Sequence, residues 1–156
     1  SYFSRSLGEV VRIVKHLGPI ALCPPDPKVA ELMNRIGHVV QVDDEDRFYA
    51  LWSLTALMAP YFALLGTTTE WLTKKGIDKR AAKQYVGSMF AGLSGFGTEI
   101  RSNDFVALIR DHQTPGGLNE QALKELRQND WYASVEKILD MIQDRLQGNS
   151  TYVAKD

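Results

Sequence analysis

At 156 residues the chain is long enough for one well-buried domain with a short appendage. Its 18 lysines and arginines nearly balance 19 aspartates and glutamates, and with no basic block this argues against nucleic acid as the main partner. Cys23 is the only cysteine, so no internal disulfide can form, a reducing cytoplasm is the expected compartment, and the thiol is expected to be inert.

The first residues, Ser1 to Gly8, read as a polar, frayed end without the basic-then-apolar pattern of a signal peptide. Val10-Val11-Arg12-Ile13-Val14 and Ile20-Ala21-Leu22 are β-branched or apolar runs on either side of Gly18-Pro19, and both read as strands. A helix is the alternative for the first, because Leu7, Val10, Val11 and Val14 also fit a helical stripe. Pro24, Pro25 and Pro27 make a stiff link. Pro27 suits the first turn of a helix carrying Val29, Leu32, Met33 and Ile36, with Gly37 as its expected end. Val39-Val40-Gln41-Val42 is the next strand.

Asp43 to Asp46 place negative charge where a helix would begin, and from Arg47 to Glu70 no residue between is charged. A run this apolar has the length of a membrane span. Pro60 in its middle, the hydroxyls of Ser53, Thr55 and Thr67 to Thr69, and the lack of an asymmetric basic flank favour a buried helix instead, so no membrane partner is expected. A helix apolar on nearly all faces must be covered on nearly all faces, and one small chain can hardly supply that cover. A second copy of the chain is the economical source. Tyr49, Trp52, Ala56, Ala59, Phe62 and Ala63 are the expected interface of a homodimer or higher homo-oligomer.

Lys74-Lys75-Gly76 should end this helix and Asp78 should cap the next, which carries Ala81, Ala82, Tyr85, Val86, Met89, Phe90 and Leu93. Gly87, Ala91 and Gly95 recur every four residues, giving either a bare face for close packing on the long helix or its mate, or an early helix end. Gly95-Phe96-Gly97 holds two glycines of a dinucleotide fingerprint in the wrong, helical context, with Ile100 at the third position. Asp104 to Arg110 reads as a short helix. Two closing helices are expected on either side of Gln128-Asn129-Asp130, with Asn129 or Asp130 as a cap. The second carries a stripe of Trp131, Val135, Ile138, Leu139, Ile142 and Leu146 and stops at Gly148. His16, His38 and His112 lie far apart without ligand spacing, so no metal site is expected.

The segment that carries chemistry is Thr114-Pro115-Gly116-Gly117-Leu118-Asn119. Pro115 stops the preceding helix, the glycines leave the backbone bare, and Asn119 is expected to cap the helix that follows. Free N–H groups at the positive end of that helix would form a seat for a carboxylate or phosphate. An ordinary helix–loop–helix corner is the plainer reading. His112 is a possible proton donor beside it, with a surface or capping role as the plainer alternative.

Thr114-Pro115-Gly116-Gly117 resembles the Thr/Ser-Pro-Gly-Gly segment of the C-terminal domain of pyrroline-5-carboxylate reductases. The order of surrounding elements resembles that family over most of the chain: the Pro-rich link, the strand at Val39 to Val42, the acidic step, the long apolar helix and the small-residue helix. The resemblance implies a mainly α, intertwined dimerisation fold with a short remnant of a Rossmann domain at the N-terminus. Residues 1–42 would be the tail of the nucleotide-binding α/β domain, 43–148 the all-α dimerisation and substrate domain, and 149–156 a loose tail. It also implies an NAD(P)H-dependent reductase of a cyclic imine bearing a carboxylate, acting in proline biosynthesis, with the NADP or NAD site on a domain missing from this chain. The substrate carboxylate would sit on the backbone of Thr114, Pro115, Gly116, Gly117, Leu118 and Asn119, with Asn119 reaching the ring nitrogen.

Two departures bear on the substrate. Asn119 stands where the family has a threonine, and the family's Gly-Ser-Gly-Pro-Ala-Tyr reads Leu57-Met58-Ala59-Pro60-Tyr61-Phe62, keeping only the proline. A related imine or keto substrate with an apolar group is therefore expected. A non-catalytic helical dimerisation scaffold derived from the same fold is the competing reading.

Overall fold

The computed structural model describes residues 18–99 and 105–153. Its first elements are β1 (Gly18–Leu22), α1 (Pro27–Met33), β2 (Gly37–Gln41) and α2 (Glu45–Ser53). A 3-10 turn (Leu54–Leu57) then leads to α3 (Met58–Lys74), α4 (Lys79–Glu99), α5 (Phe105–Asp111), α6 (Leu118–Gln128) and α7 (Trp131–Leu146). The fold is mainly helical with one small parallel sheet near the N-terminus, as the sequence led us to expect. The expected strand at Val10 to Val14 lies outside the described residues. The chain forms two compact units: residues up to Thr55 together with those from Ile138 onward, and Ala56–Lys137.

In the first unit β1 and β2 pair in parallel, from Gly18 opposite Gly37 to Leu22 opposite Gln41. The α1 helix is the crossover that a parallel pair requires. Pro27 occupies the first turn of α1, and the Asp26 carboxylate accepts from the N–H groups of Lys28 and Val29. Gly37 corrects one expectation: α1 ends at Met33, and Gly37 opens β2 rather than closing the helix. Its glycine identity is explained by close approach, since a Cβ there would stand 2.4 Å from the Gly18 carbonyl oxygen and 2.8 Å from the Ile20 side chain.

Asp44 caps α2 by accepting from the Arg47 N–H, with Glu45 and Asp46 in the first turn at the positive end of the helix. Exposed ion pairs join Arg47 to Asp43 and Asp44. The end of the chain returns to this point: Gln143 donates to the Asp46 carbonyl at 3.2 Å and Gln147 to the Asp46 carboxylate at 2.7 Å.

The single long helix expected after Arg47 is broken by the 3-10 turn. Pro60 has no N–H to give to the carbonyl four residues back, so a continuous α-helical ladder is interrupted there, and Pro60 falls in the first turn of α3, where a proline costs least. The hydroxyls of this apolar run turn inward on their own backbone. Ser53 donates to Tyr49, Thr55 to Trp52, Thr68 to Leu64 and Leu65, and Thr69 to Leu65. Apart from Thr67 and the phenols of Tyr49 and Tyr61, what remains for the outside is hydrocarbon and aromatic ring. By length and composition Glu45–Lys74 could cross a membrane, and little of it is buried in this chain.

In the second unit α3 packs on α4, with the Tyr61 and Phe90 rings edge to face at 6.3 Å. Gly76 ends α3 in the left-handed region (φ 92°), and Asp78 caps α4 through the N–H groups of Arg80 and Ala81. The α4 helix runs on through Gly87, Gly92 and Gly95, so these glycines do not end it early. Among the described residues close packing on the bare face is not observed at Gly87, where a built Cβ would meet nothing within 4 Å.

Among the described residues only Ala30, Ala82 and Val86 are buried apolar side chains. Trp52 (48% exposed) and Phe62 (67%), both in the expected interface, face outward. In the last stripe Trp131 and Ile138 are exposed, while Val135, Leu139, Ile142 and Leu146 are half-buried. Asn129 caps the end of α6 through its N–H and side-chain amide, both on the Glu125 carbonyl.

Replacing Gly37 with alanine drives a Cβ into a backbone carbonyl that cannot move aside. Gly37→Ala is expected to cost about 1–3 kcal/mol, read as a lowered urea midpoint, with the loss confined to the first unit in hydrogen exchange.

Candidate functional site: the glycine corner before α6

The corner is built by the way α5 stops. The His112 and Gln113 N–H groups reach back to the carbonyls of Leu108 and Arg110, and the His112 ring Nδ1 lies 2.8 Å from the Leu108 carbonyl. His112 thus closes the end of α5. The chain then turns over Thr114-Pro115-Gly116-Gly117, where the Gly117 N–H donates to the Thr114 carbonyl at 2.7 Å. Proline second and a glycine at φ 73° third are the requirements of a type II turn. Gly117 is also sterically required, since its Cβ would stand 2.8 Å from the Thr114 carbonyl oxygen.

Helix α6 begins at Leu118 with Gly117 as its cap residue, and no side chain caps it. Asn119 therefore does not cap α6 as expected. It lies inside the first turn, and its Nδ2 donates to the His112 carbonyl at 3.1 Å, a strut across the base of the loop. Two of the amides expected to be free are also engaged: that of Gly117 in the turn, and that of Gly116 with Glu120 Oε2 at 2.6 Å. The amides of Leu118, Asn119 and Glu120 have no acceptor among the described residues. They form the open, positive start of an eleven-residue helix. Thr114, Pro115, Gly116, Gly117, Leu118 and Asn119 are thus brought together in one corner, with the Leu118 side chain 85% exposed.

Beside the corner lies an open groove of about 360 Å³. Val106, Ile109 and Arg110 line it from α5, Gln113 and Pro115 from the loop, and Glu120 and Arg127 from α6. Sequence reasoning overlooked Glu120 and Arg127. Glu120 was findable, because an acid three residues after a helix cap commonly folds back onto the preceding amides. Arg127 carried no such signal.

The described residues do not fit a dinucleotide. The turn from β1 to α1 is Cys23-Pro24-Pro25-Asp26, with no glycine, two prolines that lack N–H groups, and the Asp26 carboxylate already seated on the first amides of α1. Gly95 to Gly97 lie within α4, not at a strand-to-helix turn. Among the described residues no group of three histidine, cysteine, aspartate or glutamate side chains gathers as metal ligands.

The described residues thus combine a small parallel sheet, helices with exposed apolar side chains and a glycine corner at a helix start. Residues 45–148 match the family model described as pyrroline-5-carboxylate reductase dimerisation, and the chain belongs to that family. Among solved structures it is similar to a pyrroline-5-carboxylate reductase from Coxiella burnetii, at 22% identity and a TM-score of 0.69, over 86% of this chain and 52% of that one. It is also similar to a Plasmodium falciparum pyrroline carboxylate reductase with NADP bound, at 14% identity and a TM-score of 0.67, over 86% of this chain and 57% of that one. The chain spans little more than half the length of these structures. No curated protein sequence matches.

The corner's own bonds set the expected effects of substitution. Gly117→Ala should open the turn at a cost of about 1–3 kcal/mol, and Asn119→Ala, which removes only the exposed strut to His112, about 0.5–1.5 kcal/mol. Urea denaturation monitored by circular dichroism checks the order, Gly117→Ala being the more damaging.

Proposed function

We propose that this chain is the helical dimerisation and substrate-holding part of an NAD(P)H-dependent oxidoreductase that reduces the C=N bond of a cyclic imine bearing a carboxylate. The observation that carries this reading is the set of open amides of Leu118, Asn119 and Glu120, at the Thr-Pro-Gly-Gly corner of a chain belonging to this family. A substrate carboxylate would accept from these N–H groups at the positive end of α6, where the dipole and the donors act together. Thr114 to Gly117 hold the amides in place through their turn. The role is orientation: fixing the imine carbon in one place removes rotational and translational freedom before reaction.

Asn119 orients the ring nitrogen in this reading but cannot protonate it. A carboxamide has no proton to give at neutral pH; its Oδ1 can accept from the N–H of an iminium, while one Nδ2 hydrogen is held by the His112 carbonyl. The substrate would therefore bind as the iminium. Hydride would come from a nicotinamide held outside the described residues, and the single cysteine makes a reducing cytoplasm the compartment we propose.

A second copy of the chain is the proposed cover for the apolar faces of α2 and α3, with Tyr49, Trp52, Ala56, Ala59, Phe62 and Ala63 at the interface. The exposure of Trp52 and Phe62 supports it, as does the open glycine face of α4. One contact favours the competing reading of a non-catalytic scaffold: Glu120 already fills the Gly116 amide with a carboxylate of the chain itself.

Amide NMR separates the two. Pyrrole-2-carboxylate, a stable planar analogue, should shift the resonances of Leu118, Asn119 and Glu120 on the reductase reading and leave them unmoved on the scaffold reading. In the full reading frame that encodes this chain, NADPH oxidation with a panel of cyclic imino acids should follow, and Asn119→Ala should lower it at least tenfold. Sedimentation equilibrium should give a dimer that Phe62→Glu shifts toward monomer; a monomeric parent chain would remove the proposed interface.

A further inference from the structure

The connection between α3 and α4 is short and closed by backbone bonds. The Gly76 N–H donates to the Thr73 carbonyl at 3.0 Å and the Ile77 N–H to that of Leu72 at 3.2 Å. With α4 packed back along α3, this makes a helical hairpin whose tip runs from Lys74 to Lys83. The tip is strongly cationic. Lys74 and Lys75 close α3, and Lys79, Arg80 and Lys83 open α4, in a chain whose net charge is -1. Asp78 is the only acid among them, and its carboxylate is turned onto the Arg80 and Ala81 amides. All five cations are exposed, and among the described residues none is in an ion pair. Lys79 and Lys83 are neighbours on one helix face, about 6 Å apart along the axis. That spacing is below the Debye length of about 8 Å at physiological ionic strength, so such charges act together on whatever approaches.

Two apolar groups stand among the cations. Ile77, 46% exposed, is at the apex between the two sets, and Trp71, 58% exposed, lies one turn back on α3. The Lys75 ammonium sits over the Trp71 ring, 5.8 Å from its centroid. We propose that the α3–α4 tip is a docking surface for a membrane rich in anionic lipid, on which the protein rests peripherally. Ammonium groups meet the lipid phosphates and carboxylates while tryptophan and isoleucine enter the headgroup boundary, and this tip carries both kinds of group in one place. Other anionic partners fit it less well. A single-stranded nucleic acid stacks its bases on open aromatic faces, and Trp71 already has a lysine over its ring. A second copy of the chain offers its acidic step, but there Asp43 and Asp44 pair with Arg47 and Asp46 accepts from Gln147. Along the sequence the cations form no unbroken block, because Gly76-Ile77-Asp78 parts them; the hairpin joins the two sets. The tip adds a membrane surface to the partners expected from the sequence. It lies at the opposite end of α3 from Ala59, Phe62 and Ala63, and it depends neither on the reductase reading nor on the proposed dimer.

The test is sedimentation of the whole chain with vesicles of phosphatidylcholine alone or mixed equally with phosphatidylserine. The expected result is binding to the mixed vesicles only, reversed by added salt and weakened about fivefold for each cation removed. Lys79→Gln/Lys83→Gln should therefore bind about 25-fold more weakly. Lys124→Gln/Lys137→Gln removes the same charge from exposed positions away from the tip and should bind as the parent does. Mixed vesicles should also move the tryptophan emission to shorter wavelength, a shift that Trp71→Phe abolishes. Failure to sediment with the mixed vesicles, equal binding to both kinds, equal weakening in the two double variants, or an emission shift that persists in Trp71→Phe would each overturn the inference. So would binding to a mixed-sequence single-stranded oligonucleotide without binding to vesicles.

Discussion

The constraint on which the rest depends is an apolar surface that the described residues leave uncovered. Between Arg47 and Glu70 no side chain carries charge, and the hydroxyls of Ser53, Thr55, Thr68 and Thr69 bond to their own backbone, so little along it invites water. Burial of apolar surface is worth about 25 cal/mol per Å², and exposed Trp52, Phe62 and Trp71 each leave much of that unrealised. The open glycine face of α4 belongs to the same account. Each glycine weakens an isolated helix, and close approach of another backbone is the compensation it makes room for. The family model that the chain matches is described by dimerisation.

The corner before α6 is built with little side-chain chemistry. Pro115 sets one dihedral angle, Gly116 supplies a positive φ, and Gly117 admits the Thr114 carbonyl where any Cβ would block it. Three amides then face outward because α6 has no preceding turn to accept from them. The nearby side chains serve the backbone. His112 closes α5, Asn119 braces the loop against the His112 carbonyl, and Glu120 satisfies Gly116.

Much of this was legible in the residues. Asp26 and Pro27, Asp44, Gly76, Asp78 and Gly148 mark helix ends through chemistry that acts within a few residues, and the structure places each at such an end. Gly37 was misread because its reason lies across the sheet, in the carbonyl of Gly18, and no local pattern encodes a partner on another strand. The break at Leu54–Leu57 was missed for a related reason: Pro60 was placed in the middle of one long helix, whereas the ladder is interrupted before it. At the site the glycine turn could be read directly. The helix start could not, since Gly117 caps without a side chain and Asn119 looked the better candidate by composition alone. Arg127 lines the groove from a different helix than Val106 and Ile109, which spacing along the chain does not reveal.

The bonds from Gln143 and Gln147 to Asp46 have a temporal meaning as well as a structural one. They join positions about a hundred residues apart, both in the first unit, whose two segments flank the second unit in the sequence. On a ribosome the inner unit is therefore fully emerged before the outer one can be finished, and contacts of such long range are the slow ones to form. The nascent chain must hold the carbonyl and carboxylate of Asp46 unpaired through that interval, until α7 arrives to supply Gln143 and Gln147.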